Sequence, residues 1–262
     1  MKLLVKLGGT LLDSAELRRR LAHELAGVAQ QGFALVVVHG GGKQMTRFLA
    51  ERGIESRFEN GLRVSTPEVI DAVLKVLAGT VNHELVASLV EAGSLPVGLS
   101  GIDACLTEAE PMNADLGAVG RPVRSNGRIL DLLTSHGYLP VVACIAGDRA
   151  GRIYNVNADQ MAVACASAFQ ADQLLFLTDV EGVRGAAGAV LSTLSTAEAA
   201  RLIDSGVATG GMQAKLNAAM DALGNGIAEV VIAPGATEMI TARLLAGEAV
   251  GTRLMAGNGD PS

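Results

Sequence analysis

Ala34-Leu35-Val36-Val37-Val38-His39-Gly40-Gly41-Gly42-Lys43 is the stretch on which the fold turns. Its first five residues are apolar without alternation, as a strand covered on both faces of a parallel sheet requires. The run then breaks into glycines where a strand-to-helix turn would lie, and a helix is predicted from about Lys43 to Arg52. Upstream, Leu3–Leu7 reads as a second such strand. Asp13–Gln31 reads as a helix with Leu17, Leu21, Leu25 and Val28 on one face and Gly32 ending it. Downstream, Ser65, Pro67 and Glu68 mark another helix start. Leu95–Leu99, Leu139–Ile145, Gln173–Leu177 and Glu229–Ala233 read as further buried strands, and 107–128 as hairpins. Repeated strand–helix units predict one α/β body, a three-layer α/β/α sandwich on a mainly parallel open sheet.

Composition narrows the function. The chain has 262 residues, 49% hydrophobic and 18% charged, with 32 glycines and a net charge of −6. That balance excludes disorder and coiled coil. Aromatic residues are 3% and Trp is absent, so a nucleic-acid partner lacks both a basic face and stacking platforms. Cys105, Cys144 and Cys165 are too scattered for a disulfide framework or a Cys-x-x-Cys metal site. No apolar run approaches the roughly 18–20 residues of a membrane span, and Lys6 comes too early for a signal peptide. A cytoplasmic location with no membrane partner is the expectation.

Ligands of such sheets bind beyond the carboxyl ends of the strands. The junctions there are Lys6-Leu7-Gly8-Gly9-Thr10, His39-Gly40-Gly41-Gly42-Lys43, Thr178-Asp179-Val180-Glu181-Gly182 and Thr209-Gly210-Gly211-Met212 before a helix carrying Lys215. Glycines at a helix N-terminus let backbone N–H groups reach an anion. For any single loop, glycine capping of a tight turn is the stronger explanation. Two lysines shift that balance. Lys6 ends a buried strand, where an unpaired ammonium is expensive, and Lys215 falls in the first turn of a helix, where the dipole opposes a cation. Both need a compensating anion, and Asp159, in Tyr154-Asn155-Val156-Asn157-Ala158-Asp159-Gln160, is the candidate carboxylate. Asn157 itself reads as a helix N-cap. Arg63 offers a fork suited to a substrate carboxylate. P-loop, Rossmann, nucleophile-elbow and His-Glu-x-x-His patterns all fail, so no resident metal site is expected.

Six ordered motifs then carry a resemblance: Lys6-Leu7-Gly8-Gly9, His39-Gly40-Gly41-Gly42, Gly61-Leu62-Arg63-Val64, Asn155-Val156-Asn157-Ala158-Asp159, Thr178-Asp179-Val180-Glu181-Gly182, and Gly211-Met212 with Lys215. Across nearly the whole chain the sequence resembles the acetylglutamate kinases of the amino acid kinase family. The resemblance implies an acceptor lobe over residues 1–168 and an ATP lobe over 169–262. It implies a transferase reaction of early arginine biosynthesis, in which N-acetyl-L-glutamate and ATP with Mg²⁺ give the γ-acyl phosphate. By matching position, Lys6 and Lys215 resemble the transition-state stabilisers and Asp159 the residue that orients them. Gly41, Gly42, Arg63 and Asn155 resemble the acceptor contacts. Gly8, Gly9, Thr178, Asp179, Val180, Glu181, Gly182, Val183, Arg184, Val207 and Thr209 resemble the nucleotide contacts. Inhibited hexameric members carry an extra N-terminal helix, so the chain's start near the first strand implies an arginine-insensitive homodimer. Ser65-Thr66, Ile102-Asp103-Ala104 and Met212-Gln213-Ala214-Lys215 depart from the usual family residues without removing a catalytic group. A kinase for another acidic amino acid or carrier-linked aminoadipate, the kinase-like half of a synthase, and a non-catalytic effector-binding module stay open.

Overall fold

The computed structural model describes residues 1–255; the last seven residues of the expected ATP lobe lie outside them. The chain opens with β1 (Lys2–Leu7), a 3₁₀ turn over Gly9–Leu12 and α1 (Ala15–Gln30). The helix starts two residues later than Asp13 because the Ser14 side chain accepts from the Leu17 N–H and caps it. Next come β2 (Ala34–His39), α2 (Gly42–Ala50) and a small ribbon, β3 (Phe58–Glu59) with β4 (Leu62–Arg63).

Thr66, not Ser65, then caps α3 (Pro67–Val73), with Pro67 at the first helical position. A π-helical stretch, Leu74–Val81, joins it unbroken to α4 (Asn82–Glu91). This corrects the expectation of no segment of membrane-spanning length. Pro67–Glu91 is 25 residues and long and apolar enough by composition, with 44% of its most apolar window buried inside the fold.

β5 (Pro96–Ser100) is a half-exposed edge strand rather than a buried one. β6 (Thr107–Pro111) and β7 (Val119–Ser125) form the expected antiparallel hairpin. After α5 (Arg128–Ser135), the predicted strand 139–145 divides at Cys144. β8 (Leu139–Ala143) belongs to the main sheet, whereas β9 (Ile145–Gly147) closes a four-stranded barrel with β6, β7 and β10 (Ile153–Val156). The remainder is α6 (Ala158–Phe169), β11 (Gln173–Thr178), β12 (Thr193–Ser195), α7 (Thr196–Asp204), α8 (Gly210–Gly224), β13 (Glu229–Pro234), α9 (Ile240–Leu245) and β14 (Thr252–Met255).

The main sheet runs β12-β14-β13-β11-β1-β2-β8-β5, parallel except where β14 meets β13. Alternation along β1 decides the layers. Leu3, Val5 and Leu7 join the core beneath α1, α3 and α4, while Leu4 joins the opposite core beneath α6 and α8. Lys6 shares the face of Leu4, so its ammonium is aimed at α6 and α8. Odd-numbered His39 on β2 points the other way, toward the π-helical stretch and α4.

Candidate functional site

Lys6 sits one residue from the end of β1 and is 5% exposed. Asp159 reaches it from the first turn of α6, whose N-terminus Asn157 caps by accepting from the Asp159 and Gln160 N–H groups. Lys6 Nζ lies 2.7 Å from Asp159 Oδ1, and Lys215 Nζ donates to Oδ2 at 3.3 Å. Burial alone would raise the Asp159 pKa. The Lys6 and Lys215 ammonium groups outweigh it and hold the carboxyl below its usual range. Two cations thus share one anion, and the helix dipole supports the same charge state.

Lys215 is the sixth residue of α8, in its second turn, which corrects its expected place in the first. The glycines of Thr209-Gly210-Gly211 do not precede the helix; it begins at Gly210.

Lys6 opens onto a cavity of about 210 Å³ lined also by Gly41, Gly42, Arg63 and Asn155. Gly41 packs closely there: a Cβ would stand 2.4 Å from Leu77 Cδ2 and would push the end of that side chain aside. Arg63 is 8% exposed, and burial lowers its pKa. It donates to Ser56 Oγ, the Gly42 carbonyl and Thr46 Oγ1 and stacks on the Phe58 ring at 4.5 Å. Those bonds leave two of the five guanidinium N–H groups for a ligand. Among the described residues no carboxylate lies within ion-pair distance of it. Asn155 Nδ2 donates to Ser65 Oγ at 3.1 Å, a link between the barrel and the segment leading into α3 that the sequence did not suggest.

The loop 178–184 follows β11, beside β1. Gly8 N–H donates to the Leu177 carbonyl, which ties the two strand ends together, and Gly9 opens the 3₁₀ turn. Thr178 is buried; Asp179, Val180, Glu181, Arg184, Val207 and Thr209 are exposed. Glu181 and Arg184 pair at 2.5 Å. Gly182 is buried, and the Val183 side chain lies fully inside the core. Its backbone is engaged as well: the Val183 N–H donates to Thr252 Oγ1 and its carbonyl accepts from the Leu191 N–H.

His39 is the buried group that sequence reading passed over, hidden by the glycines beside it. Burial lowers its pKa from 6.5 to about 4, against the opposing bond to Gly40. Above pH 6.5 the imidazole is neutral in both folded and unfolded chains. Between 6.5 and 4 only the unfolded chain takes the proton, so stability falls on acidification. We expect about 2 kcal/mol less unfolding free energy at pH 5 than at pH 7 from this group. Urea titrations at both pH values check it, and His39→Asn should flatten the difference. An equal loss in both proteins would exclude His39 as its source.

Comparison with known proteins agrees with this architecture. The profile of the amino acid kinase family matches residues 1–234. An acetylglutamate kinase of Solibacter usitatus (strain Ellin6076) is 63% identical over 255 residues, 97% of this chain and 99% of the relative. One of Acidobacterium capsulatum is 42% identical over 259 residues, 98% and 100% of the two chains. Among solved structures, N-acetylglutamate synthase from Neisseria gonorrhoeae, complexed with coenzyme A and N-acetyl-glutamate, superposes with TM-score 0.88 at 24% identity. The match covers 98% of this chain but only 59% of the synthase. Carbamate kinase from Giardia lamblia bound to AMP-PNP gives TM-score 0.73 at 16% identity over 98% of each chain. These two likenesses speak for the fold alone. With the family profile matching residues 1–234 and full-length relatives at these identities, the chain belongs to the amino acid kinase family.

Proposed function

We propose that this chain transfers the γ-phosphoryl group of ATP to the γ-carboxylate of N-acetyl-L-glutamate. The observation that carries the reading is the Lys6–Asp159–Lys215 cluster, whose Lys6 lines a small cavity together with Arg63 and the Gly41-Gly42 loop. A carboxylate acceptor, with a pKa near 4, is already ionised at neutral pH, so no general base is needed. The obstacle is charge: an anion must approach a polyanion while negative charge spreads over the moving group. Positioned cations answer that need. Lys6 serves the transferring phosphoryl and Lys215 the leaving side, with Asp159 spacing them. At about 210 Å³ the cavity is below the roughly 300–1,000 Å³ of drug-sized sites. It suits the small acceptor, and the nucleotide takes the open side along 178–184, with Val207 and Thr209.

Mg²⁺ enters this reading with the nucleotide, whose phosphate oxygens supply its ligands. The site's own carboxylate, Asp159, is committed to two ammonium groups. The lobes 1–168 and 169–262 belong to the same reading, supported by β11–β14 lying on one side of β1 and β2, β8 and β5 on the other.

Trapping the acyl phosphate with hydroxylamine tests the reaction. Acetylglutamate with MgATP should give hydroxamate and ADP, and glutamate or aminoadipate much less. Efficient turnover of either alternative instead would reassign the acceptor; none with any would leave a binding module.

Arg63→Ala should raise the acceptor KM roughly 10–100-fold while leaving the ATP KM in place, as loss of a charged hydrogen bond implies. An unchanged acceptor KM with a collapsed kcat contradicts its role.

A cytoplasmic homodimer completes the proposal. β5 is an unpaired sheet edge, and next to it Leu95 and Tyr138, 61% and 43% exposed, stand side by side at the start of the β5–β8 pair. Sedimentation should give a dimer, and Leu95→Lys should shift it toward monomer; a monomeric native chain rejects this part of the reading.

A further inference from the structure

His39 is fully buried at the end of β2, and phosphoryl transfer gives it no task. Both of its ring nitrogens are engaged. Nδ1 lies 2.8 Å from the Gly40 carbonyl oxygen, which can only accept, so Nδ1 carries the proton and donates. Nε2 is then an acceptor, facing Asn82 Nδ2 at 3.0 Å. The same amide nitrogen donates to the Val141 carbonyl at 3.0 Å, which fixes the orientation of the Asn82 side chain. Asn82 is 2% exposed and follows directly on the π-helical stretch whose Leu77 and Val81 crowd Gly41. Gly98 on β5 completes the arrangement, because a Cβ there would come within 2.2 Å of Asn82 Oδ1. The contacts run from Gly98 through Asn82 and His39 to Gly40, and end at Gly41 and Gly42 on the acceptor cavity.

We propose that His39 and Asn82 are positioning residues for the glycine loop, an inference that rests on the acceptor-cavity reading above. The neutral Nδ1–H tautomer ties the Gly40 carbonyl to the ring. The N–H groups opening α2, which have no intrahelical acceptor, stay available to the anionic acceptor. A carbonyl released from the ring could rotate into the cavity, where its partial negative charge opposes a carboxylate. A protonated ring would set an Nε2–H donor against the Asn82 donor, so the same contacts hold His39 neutral.

Steady-state kinetics and hydrogen–deuterium exchange on the full chain test this, with His39→Leu, His39→Asn and Gly98→Ala. His39→Leu removes the donor, and Gly98→Ala displaces the Asn82 amide from a strand that does not line the cavity. Each should raise the acceptor KM about 10-fold with the ATP KM unchanged. His39→Asn can place an amide N–H near the lost Nδ1–H and should recover most of that loss. A purely structural role would lower the active fraction and apparent kcat with both KM values unmoved, and that result overturns the inference. In the ligand-free protein, His39→Leu should speed exchange at residues 40–43 specifically; unchanged exchange there, or acceleration across the whole chain, overturns it as well. Should the native chain release no ADP with acetylglutamate, the substrate assignment fails, and the exchange measurement still decides the loop.

Discussion

Lys6→Ala is expected to lower kcat by roughly 10²–10³, the range for removing one fixed donor from a developing oxyanion. The argument is geometric. The Lys6 ammonium is buried in the wall of the acceptor cavity, 2.7 Å from a carboxylate oxygen, where water screens it poorly. In the proposed reaction its attraction for the transferring phosphoryl therefore far exceeds that of a surface lysine. The fold should survive the change, because Asp159 keeps Lys215 as a partner. Lys215→Ala, on the proposed leaving side, should fall in the same range. Single-turnover measurement of acyl phosphate formation separates this loss from slower product release. Turnover near the native rate in either variant would remove that lysine from the mechanism.

Asp159→Asn should cost about 3–5 kcal/mol of stability, the range for stripping a buried ion pair of one partner. The substitution preserves shape but leaves two ammonium groups facing each other without an intervening anion. Urea unfolding at pH 7 measures the loss. Because ATP phosphates would restore the missing negative charge, adding MgATP should raise the melting temperature of the variant more than that of the native chain. Turnover should collapse even in the folded fraction, since the two repelling ammonium groups would no longer be held in place by the carboxylate between them. Native-like stability would mean that the pair makes no net contribution to the fold.

The sandwich was legible from residues 3–5, 34–38, 174–177 and 230–233 because unbroken apolar runs have few other uses in a chain of this size. β5 misled: an edge strand can be apolar on its own, and only its neighbours decide whether anything covers it. Ser65 misled as a helix start for a similar reason, since its hydroxyl donates to the Arg63 carbonyl and accepts from Asn155, ninety positions away. Lys215 falls one turn further into α8 than the sequence suggests, because adjacent glycines do not say which of them enters the helix.

Charge accounting makes the Lys6–Asp159–Lys215 set readable in the sequence, because a cation ending an apolar strand demands a partner wherever the chain can supply one. The chain alone could not show the His39–Asn82 relay. A histidine before three glycines and an asparagine inside a helix carry no mutual signal in one dimension. Their pairing follows from strand alternation, which turns His39 away from Lys6, and from the π-helical stretch, after which Asn82 meets the ring. Local residue chemistry accounts for the strands, turns and the buried charges that must pair. The aim of each buried polar group depends on packing between segments far apart in sequence, which only the folded chain brings within hydrogen-bond reach.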